Sequence, residues 1–275
     1  MTTANDHVLA RELAATAGER LLELRAAGGE PDLLRKAGDQ LSHEFLAAEL
    51  AAGRSGDAVL SEEGTDDPAR LAARRVWIVD PLDGTREFGE PGRVDWAVHV
   101  ALWERSGGSG ELTAGAVALP AQGRVLSTVP GEGGAWSHGS GGHGEARLAG
   151  EAAGTRGGGD GRVRIVVSRT RAPRFVQNIS DLFDAELVPL GSAGAKVAAV
   201  VCGEADAYVH AGGFYEWDTA APVAVARAAG CHASRIDGSP LSYNQANPMM
   251  PDILVCRPAL AGALLQAIRE VTNAS

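Results

Sequence analysis

The sequence predicts a mixed α/β (α+β) chain of two lobes, and three observations predict it. Helices with one apolar face open the chain, a run of short apolar strands follows, and strand and helix then alternate to the end. From Val8 to Arg25, Leu9, Leu13, Ala17, Leu21 and Leu24 recur at three- and four-residue spacing, which gives an amphipathic helix that Gly28-Gly29 stops. A second helix is expected to start near Asp39, with Leu41, Phe45, Leu46 and Leu50 on its buried face. Strands are expected at 58–60, 76–79, 96–102, 112–119 and 124–128, with a hairpin loop at 107–110. The segment 131–161 is rich in Gly and Ser, with order expected at Ala135-Trp136 and Arg147-Leu148, and reads as a mobile connection. Beyond it, strands at 163–167, 186–190, 207–210 and 252–256 alternate with helices at 173–182, 193–202, 218–229 and 258–271. A boundary near residue 160 divides the chain into lobes 1–160 and 161–275.

A chain of 275 residues is long enough to bury a substantial core. Its net charge of −10 argues against a nucleic-acid polymer as partner, because phosphate-backbone binding draws on clustered Lys and Arg. A small phosphorylated ligand stays open, since bound cations can reverse the local field. Cys202, Cys231 and Cys256 are widely spaced and form no CxxC pair, so neither zinc nor a disulfide framework is expected, and a reducing cytoplasm fits. The first residues show no basic flank followed by an apolar run, and no apolar run reaches spanning length. A cytoplasmic protein with no membrane partner is expected.

The segment Trp77-Ile78-Val79-Asp80-Pro81-Leu82-Asp83-Gly84-Thr85 sets two carboxylates at the mouth of a buried strand. Such carboxylates repel one another and resist desolvation unless cations hold them. Mg²⁺ suits them, being a hard ion that takes carboxylate and phosphate oxygens. A turn after Asp80 lets Asp80, the Leu82 carbonyl and Asp83 converge. Two more acidic segments, Ser61-Glu62-Glu63-Gly64 and Glu216-Trp217-Asp218, lie before and after it. Taken singly, an Asp-Gly turn, a solvated Glu pair and a helix N-cap account for the three. Taken jointly, they favour a metal centre.

These motifs resemble those of the Mg²⁺-dependent, lithium-sensitive phosphomonoesterase superfamily that includes inositol monophosphatases and fructose 1,6-bisphosphatases. Within it they are most similar to 3′(2′),5′-bisphosphate nucleotidases of the CysQ type. Asp80-Pro81-Leu82-Asp83-Gly84-Thr85-Arg86-Glu87-Phe88 is similar to the signature DPLDGT(K/R)EF, and Glu216-Trp217-Asp218-Thr219-Ala220-Ala221 to EWDTAA. The similarity runs from about residue 8 to 270. It implies a layered αβαβα sandwich with the metal site between the lobes, and two or three Mg²⁺ ions per site. It also implies removal of the 3′-phosphate of 3′-phosphoadenosine 5′-phosphate, with the sulfated relative as a further substrate.

The resemblance assigns roles residue by residue. Glu62, Asp80 and the Leu82 carbonyl would hold the metal of the attacking water, and Asp80, Asp83 and Asp218 the metal on the ester oxygen. Most of these ligands lie in the first lobe. Thr85 would orient the water, paired with an acid from the early helix that Asp39 matches; Asp39 fits a helix N-cap equally well. Glu63 would support the ligands, and the amides of Gly84 and Thr85 would cradle the phosphate. Gly191-Ser192-Ala193-Gly194-Ala195-Lys196 resembles the segment that contacts the nucleotide, with Ser192 and Lys196 as partners of a second phosphate. A lone helical Lys also reads as solvated. Arg86 and Arg169 are further candidates.

Inositol phosphatases carry a Glu seven residues before the Trp-Asp aspartate, and Ala211 stands there in this chain, which counts against inositol phosphate as main substrate. The alternatives are inositol or fructose phosphate turnover on the same machinery, or a metal-binding regulatory protein without turnover. As partners, a small phosphorylated substrate and, as an option, a second copy of the chain are considered. The seven histidines include no i, i+4 pair and read as structural or surface groups. Trp96 and Trp103 suit a core, an interface or the flank of an adenine.

Overall fold

The computed structural model describes residues 4–131, 134–139, 145–148, 161–170, 172 and 174–273. Two long helices come first, α1 (Ala4–Ala27) and α2 (Pro31–Gly53). α2 starts at Pro31 rather than near Asp39. Proline is preorganised for a first helical position, and the Glu30 carboxylate caps the turn by accepting from the Leu33 N–H at 3.0 Å. Asp39 is therefore a mid-helix residue, and the N-cap reading of it falls.

A seven-stranded sheet follows: β1 (Ala58–Ser61), β2 (Arg75–Asp83), β3 (Ala97–Ser106), β4 (Ser109–Leu119), β5 (Arg124–Thr128), β6 (Ala135–Gly139) and β7 (Glu145–Leu148). They lie side by side in chain order, antiparallel except for the parallel pair β1–β2. Glycines at 107 and 108 make the predicted hairpin, Ser106 pairing with Ser109. The glycine-rich segment yields two strands, β6 and β7, around the short ordered patches expected there, because β6 pairs on the edge of β5 and β7 on β6. The rest of that segment, including residue 160 at the predicted boundary, lies largely outside the described residues.

The second half supplies β8 (Arg164–Ser168), α4 (Arg174–Phe183), β9 (Glu186–Leu190), α5 (Ala193–Val201), β10 (Ala207–Tyr215), α6 (Glu216–Ala228), β11 (His232–Ser234), β12 (Met249–Cys256) and α7 (Pro258–Asn273), with the short α3 (Thr85–Gly89) behind in the first half. The predicted start of α4 at Pro173 lies outside the described residues. The five-stranded sheet runs β11-β12-β10-β8-β9, with β8 parallel to both of its neighbours and β12 antiparallel to both of its own. The short strand β11 is not among the predicted elements, since three residues leave no alternation to read.

Strand alternation sorts the apolar residues into layers. On β2, Trp77 and Val79 face α1 and α2, in a cluster with Leu13, Leu21, Leu46 and Leu50. Val76 and Ile78 face the other way, onto Val197, Val200, Ala221 and Val225 of α5 and α6. On β10 and β12, Tyr208, Ile253 and Val255 face that same central layer, while Val209 and Leu254 face Ile179 of α4 and Leu264 and Ile268 of α7. The order α1/α2, sheet, α5/α6, sheet, α4/α7 is the layered αβαβα sandwich. Trp96 and Trp103 are both buried, in separate clusters on opposite faces of the first sheet, so they serve the core.

Sheet and helix approach closely at Gly115 of β4. A Cβ there would lie 2.7 Å from the Ala224 Cβ and 3.2 Å from the Ala221 carbonyl of α6. Gly115→Ala must push α6 away from the sheet, and a loss of about 1–3 kcal/mol of stability is expected from chemical denaturation. A neutral result would mean that α6 is held less tightly than its packing indicates.

Candidate metal centre and substrate cleft

β2 carries two acids into the interior because its pairing with β3 breaks there. Asp80 is opposite His99 and Asp83 opposite Ala97, with a register shift between them. Pro81, which has no N–H to give to a ladder, sits in the bulge. The strand thus runs on to Asp83 instead of ending at Val79. Gly84 turns the chain at φ 86°, and a Cβ on it would press on Ser192 Cβ, the Asp95 carbonyl and Trp96 Cα at 3.2–3.3 Å. The next residue opens α3, so the Gly84 and Thr85 amides lie at a helix start.

Asp80, Asp83 and Asp218 offer carboxylate oxygens within 4.8 Å of one another. Asp218 comes from the first turn of α6, and its Oδ2 also accepts from the Tyr215 N–H at 2.5 Å. It is therefore in the third helical position and not the N-cap. Asp80 is buried; Oδ1 accepts from the Leu82 N–H at 3.0 Å, while Oδ2 has no hydrogen-bond partner among the described residues. Burial, then Glu62, Asp83 and Asp218, push the Asp80 carboxyl well above the usual range. Glu62 stands at the exposed rim with its carboxyl turned toward Asp80. Lost hydration and the charges of Asp83, Glu63 and Asp39 push it up to about 7.

Four acids with one orphaned buried oxygen form a set that is unfavourable alone and favourable around hard cations, so the residues fit Mg²⁺. Asp83 differs from Asp80 in being tied to the start of α5. Its Oδ2 accepts from Ser192 Oγ at 2.6 Å and the Gly194 N–H at 2.8 Å, with His99 Nε2 at 3.3 Å.

Thr85 Oγ1 lies 3.0 Å from the Leu82 carbonyl and 3.3 Å from Asp39 Oδ1, both within reach of its single proton. Burial, and then Glu63, push the Asp39 carboxyl up to about 7, against the pull of the Thr85 contact. The helix α2 and the start of α3 thus meet at this pair.

One cavity of about 410 Å³ takes in Glu62, Asp80, Leu82, Asp83, Gly84, Thr85, Arg86 and Asp218 at its acidic end. Ser192, Lys196 and Arg169 line it as well. Lys196 is not solvated. It is 5 % exposed, donates from Nζ to the Gly191 and Ser192 carbonyls at 2.6 and 2.7 Å, and lies 5.3 Å from the Tyr208 ring. Burial pushes its pKa down to about 8. The Ser192 hydroxyl is occupied by Asp83 and by its own helix, accepting from the Ala195 N–H at 3.0 Å, so it serves the loop first. Arg169 bonds Glu87 and Glu90 at 2.8 Å, and Arg86 is exposed.

Sequence reasoning missed Tyr208, His210 and Phe214, which line the same cavity. Their alternation along β10 was a signal that could have placed Tyr208 and His210 on one face. It also missed Asp95, a buried acid whose Oδ2 accepts from the Gly191 N–H at 2.5 Å and fixes the loop that carries Lys196.

The model of the inositol monophosphatase family matches residues 6–273. The chain belongs to that family. Among its relatives, the 3′-phosphoadenosine 5′-phosphate phosphatase of Mycobacterium leprae is 50% identical over 274 residues, 97% of this chain and 94% of the relative. The 3′(2′),5′-bisphosphate nucleotidase CysQ of Escherichia coli strain K12 is 30% identical over 244 residues, covering 84% of this chain and 91% of the relative. Among solved structures of the family, CysQ from Bacteroides thetaiotaomicron superposes with a TM-score of 0.77 at 28% identity, over 92% of this chain and 97% of that one. No helix of the described residues is long and apolar enough to cross a membrane.

Proposed function

We propose that this chain is a Mg²⁺-dependent phosphomonoesterase that removes the 3′-phosphate of 3′-phosphoadenosine 5′-phosphate. The observation that carries the reading is one cavity with the acids Asp80, Asp83 and Asp218 at one end and the cations Lys196 and Arg169 on its wall. That layout suits a substrate with two phosphates, one to be cleaved and one to be held. The 50% identity to a 3′-phosphoadenosine 5′-phosphate phosphatase supports the same substrate.

In this reading Glu62, Asp80 and the Leu82 carbonyl would hold one ion, and Asp80, Asp83 and Asp218 would hold another. Bound Mg²⁺ supplies Lewis acidity, lowering the pKa of water and neutralising charge that builds on the phosphate and the leaving oxygen. The protein's own groups do the rest. Thr85 Oγ1 would position the attacking water and Asp39 Oδ1 would accept its proton as the new O–P bond forms; the P–O3′ bond breaks and the leaving 3′ oxygen takes its proton from solvent water. The Gly84 and Thr85 amides face the phosphate being transferred. Steady-state kcat/KM on 3′-phosphoadenosine 5′-phosphate, its sulfated relative, inositol 1-phosphate and fructose 1,6-bisphosphate tests this, with Mg²⁺ and with excess EDTA. Preference for the inositol ester, or full activity in EDTA, would overturn it.

Lys196 carries the specificity. Lys196→Ala should raise KM for the bisphosphate nucleotide and leave inositol 1-phosphate almost untouched. A charge-assisted contact is worth about 1.5–3 kcal/mol, so kcat/KM should fall roughly tenfold to a hundredfold on the nucleotide alone. Because burial lowers the Lys196 pKa to about 8, its charge is present below that pH and lost above it, and the nucleotide KM should climb as pH passes 8. Equal losses on both substrates would make Lys196 a support of the 191–192 loop.

A further inference from the structure

Away from the acids, a second polar cluster joins the two sides of the metal centre. Arg70, in the 3₁₀ turn Pro68–Leu71, is among the largest fully buried side chains. Its Nε and Nη2 donate to the Asp66 carboxylate at 2.6 and 3.0 Å. Nη1 donates to Asn244 Oδ1 at 2.7 Å and Nη2 to the Gln245 carbonyl at 2.9 Å, while Asn244 Nδ2 returns a bond to the Arg70 carbonyl at 3.3 Å. Asn244 is in the left-handed region at φ 58°, which turns two successive amides the same way. The Asn244 and Gln245 N–H groups both donate to the Glu216 carboxylate, at 2.6 and 2.7 Å. Glu216 is fully buried, and its own N–H donates to the Pro248 carbonyl at 2.8 Å.

Glu216 is the first residue of α6, two before Asp218. Arg70 ends the segment that Glu62 begins. We propose that Glu216, Asn244 and Arg70 are positioning residues, a strap that holds the Asp218 turn of one lobe in register with the Glu62 segment of the other. The proposal rests on the metal-dependent reading above. A buried carboxylate answered by two backbone amides is directional, where an apolar side chain would fill the same space without fixing an angle. A metal ligand set drawn from two lobes needs that angle, because ligand oxygens a few tenths of an ångström out of place bind a small hard ion poorly. A further bond, from Tyr243 Oη to Thr219 Oγ1 at 3.2 Å, ties the same loop to the residue after Asp218.

Mg²⁺ binding measured by calorimetry on the full chain tests the strap, beside thermal melting and kinetics. Glu216→Gln and Arg70→Ala should weaken Mg²⁺ binding about tenfold or more, as loss of groups that orient metal ligands does. They should raise the Mg²⁺ needed for half-maximal kcat and leave the nucleotide KM at saturating Mg²⁺ unchanged. Two gentler variants cover the case that these fail to fold. Asn244→Gly keeps the left-handed backbone and removes only the side-chain link. Arg70→Lys keeps the charge and loses the fork. Both should fold and still bind Mg²⁺ more weakly. Leu264→Ala, in the core against the outer helices, should lower Tm without changing Mg²⁺ affinity. Wild-type Mg²⁺ affinity in Asn244→Gly and Arg70→Lys would overturn the strap alone. Absence of Mg²⁺ binding in the wild type would overturn the metal-dependent reading with it.

Discussion

Asp83→Asn should remove nearly all turnover while the chain still folds. The carboxylate has two duties. Oδ2 accepts from Ser192 Oγ and the Gly194 N–H, and the carboxylate also offers an oxygen to the cluster with Asp80 and Asp218. An amide has one acceptor oxygen. If that oxygen keeps the bonds to Ser192 and Gly194, the NH₂ group is all that remains for the proposed cation; if the amide flips, the NH₂ meets two donors. Either way the proposed Mg²⁺ centre loses a charged oxygen. Changing groups that merely orient ligands costs about 10–100-fold, so replacing a ligand should exceed a hundredfold loss in kcat/KM. Native-like circular dichroism with activity within tenfold of the wild type would sink the role of Asp83 as a ligand.

Thr85→Ala should lower kcat by roughly a hundredfold to ten-thousandfold, the range of a positioned proton-transfer group, with little change in KM. The hydroxyl lies between the Leu82 carbonyl and Asp39, so in the proposed mechanism its removal takes the link between water and proton acceptor and leaves the backbone amides of Gly84 and Thr85 in place. Thr85→Ser keeps the hydroxyl and should recover most of kcat. A pure KM effect would make Thr85 a substrate-binding residue, and a failure of Ser to rescue would point to the γ-methyl and its packing.

How much of this was legible in the sequence follows from what each signal depends on. Elements were readable where the pattern is local, as in the apolar run of β2 and the helical spacing of α1, and so was the Asp80–Thr85 turn because its acids, Pro and Gly are contiguous; the layering came from the family resemblance. The start of α2 was misplaced since the cap is Glu30, a residue whose capping depends on a reach to Leu33 that composition does not signal. β6 and β7 were hidden by glycine and serine, which form strands here only because β5 offers an edge. The partners of Ser192 and Lys196 were invisible. Asp83 and Asp95 lie about a hundred positions upstream of that loop, and no spacing rule connects them.

The central layer of α5 and α6 has a consequence for how the protein is made. The seven-stranded sheet is complete by residue 148, yet the face bearing Val76, Ile78, Ala97 and Ala101 is covered by helices that begin at Ala193 and Glu216. During synthesis from the N-terminus, that apolar surface emerges from the ribosome before its cover exists. The same delay applies to the acidic cluster, because Asp218 arrives on the last of the covering helices. A nascent or truncated first half would therefore be both inactive and adhesive, and a cell making this chain quickly must shield the half-built sheet until α6 closes over it.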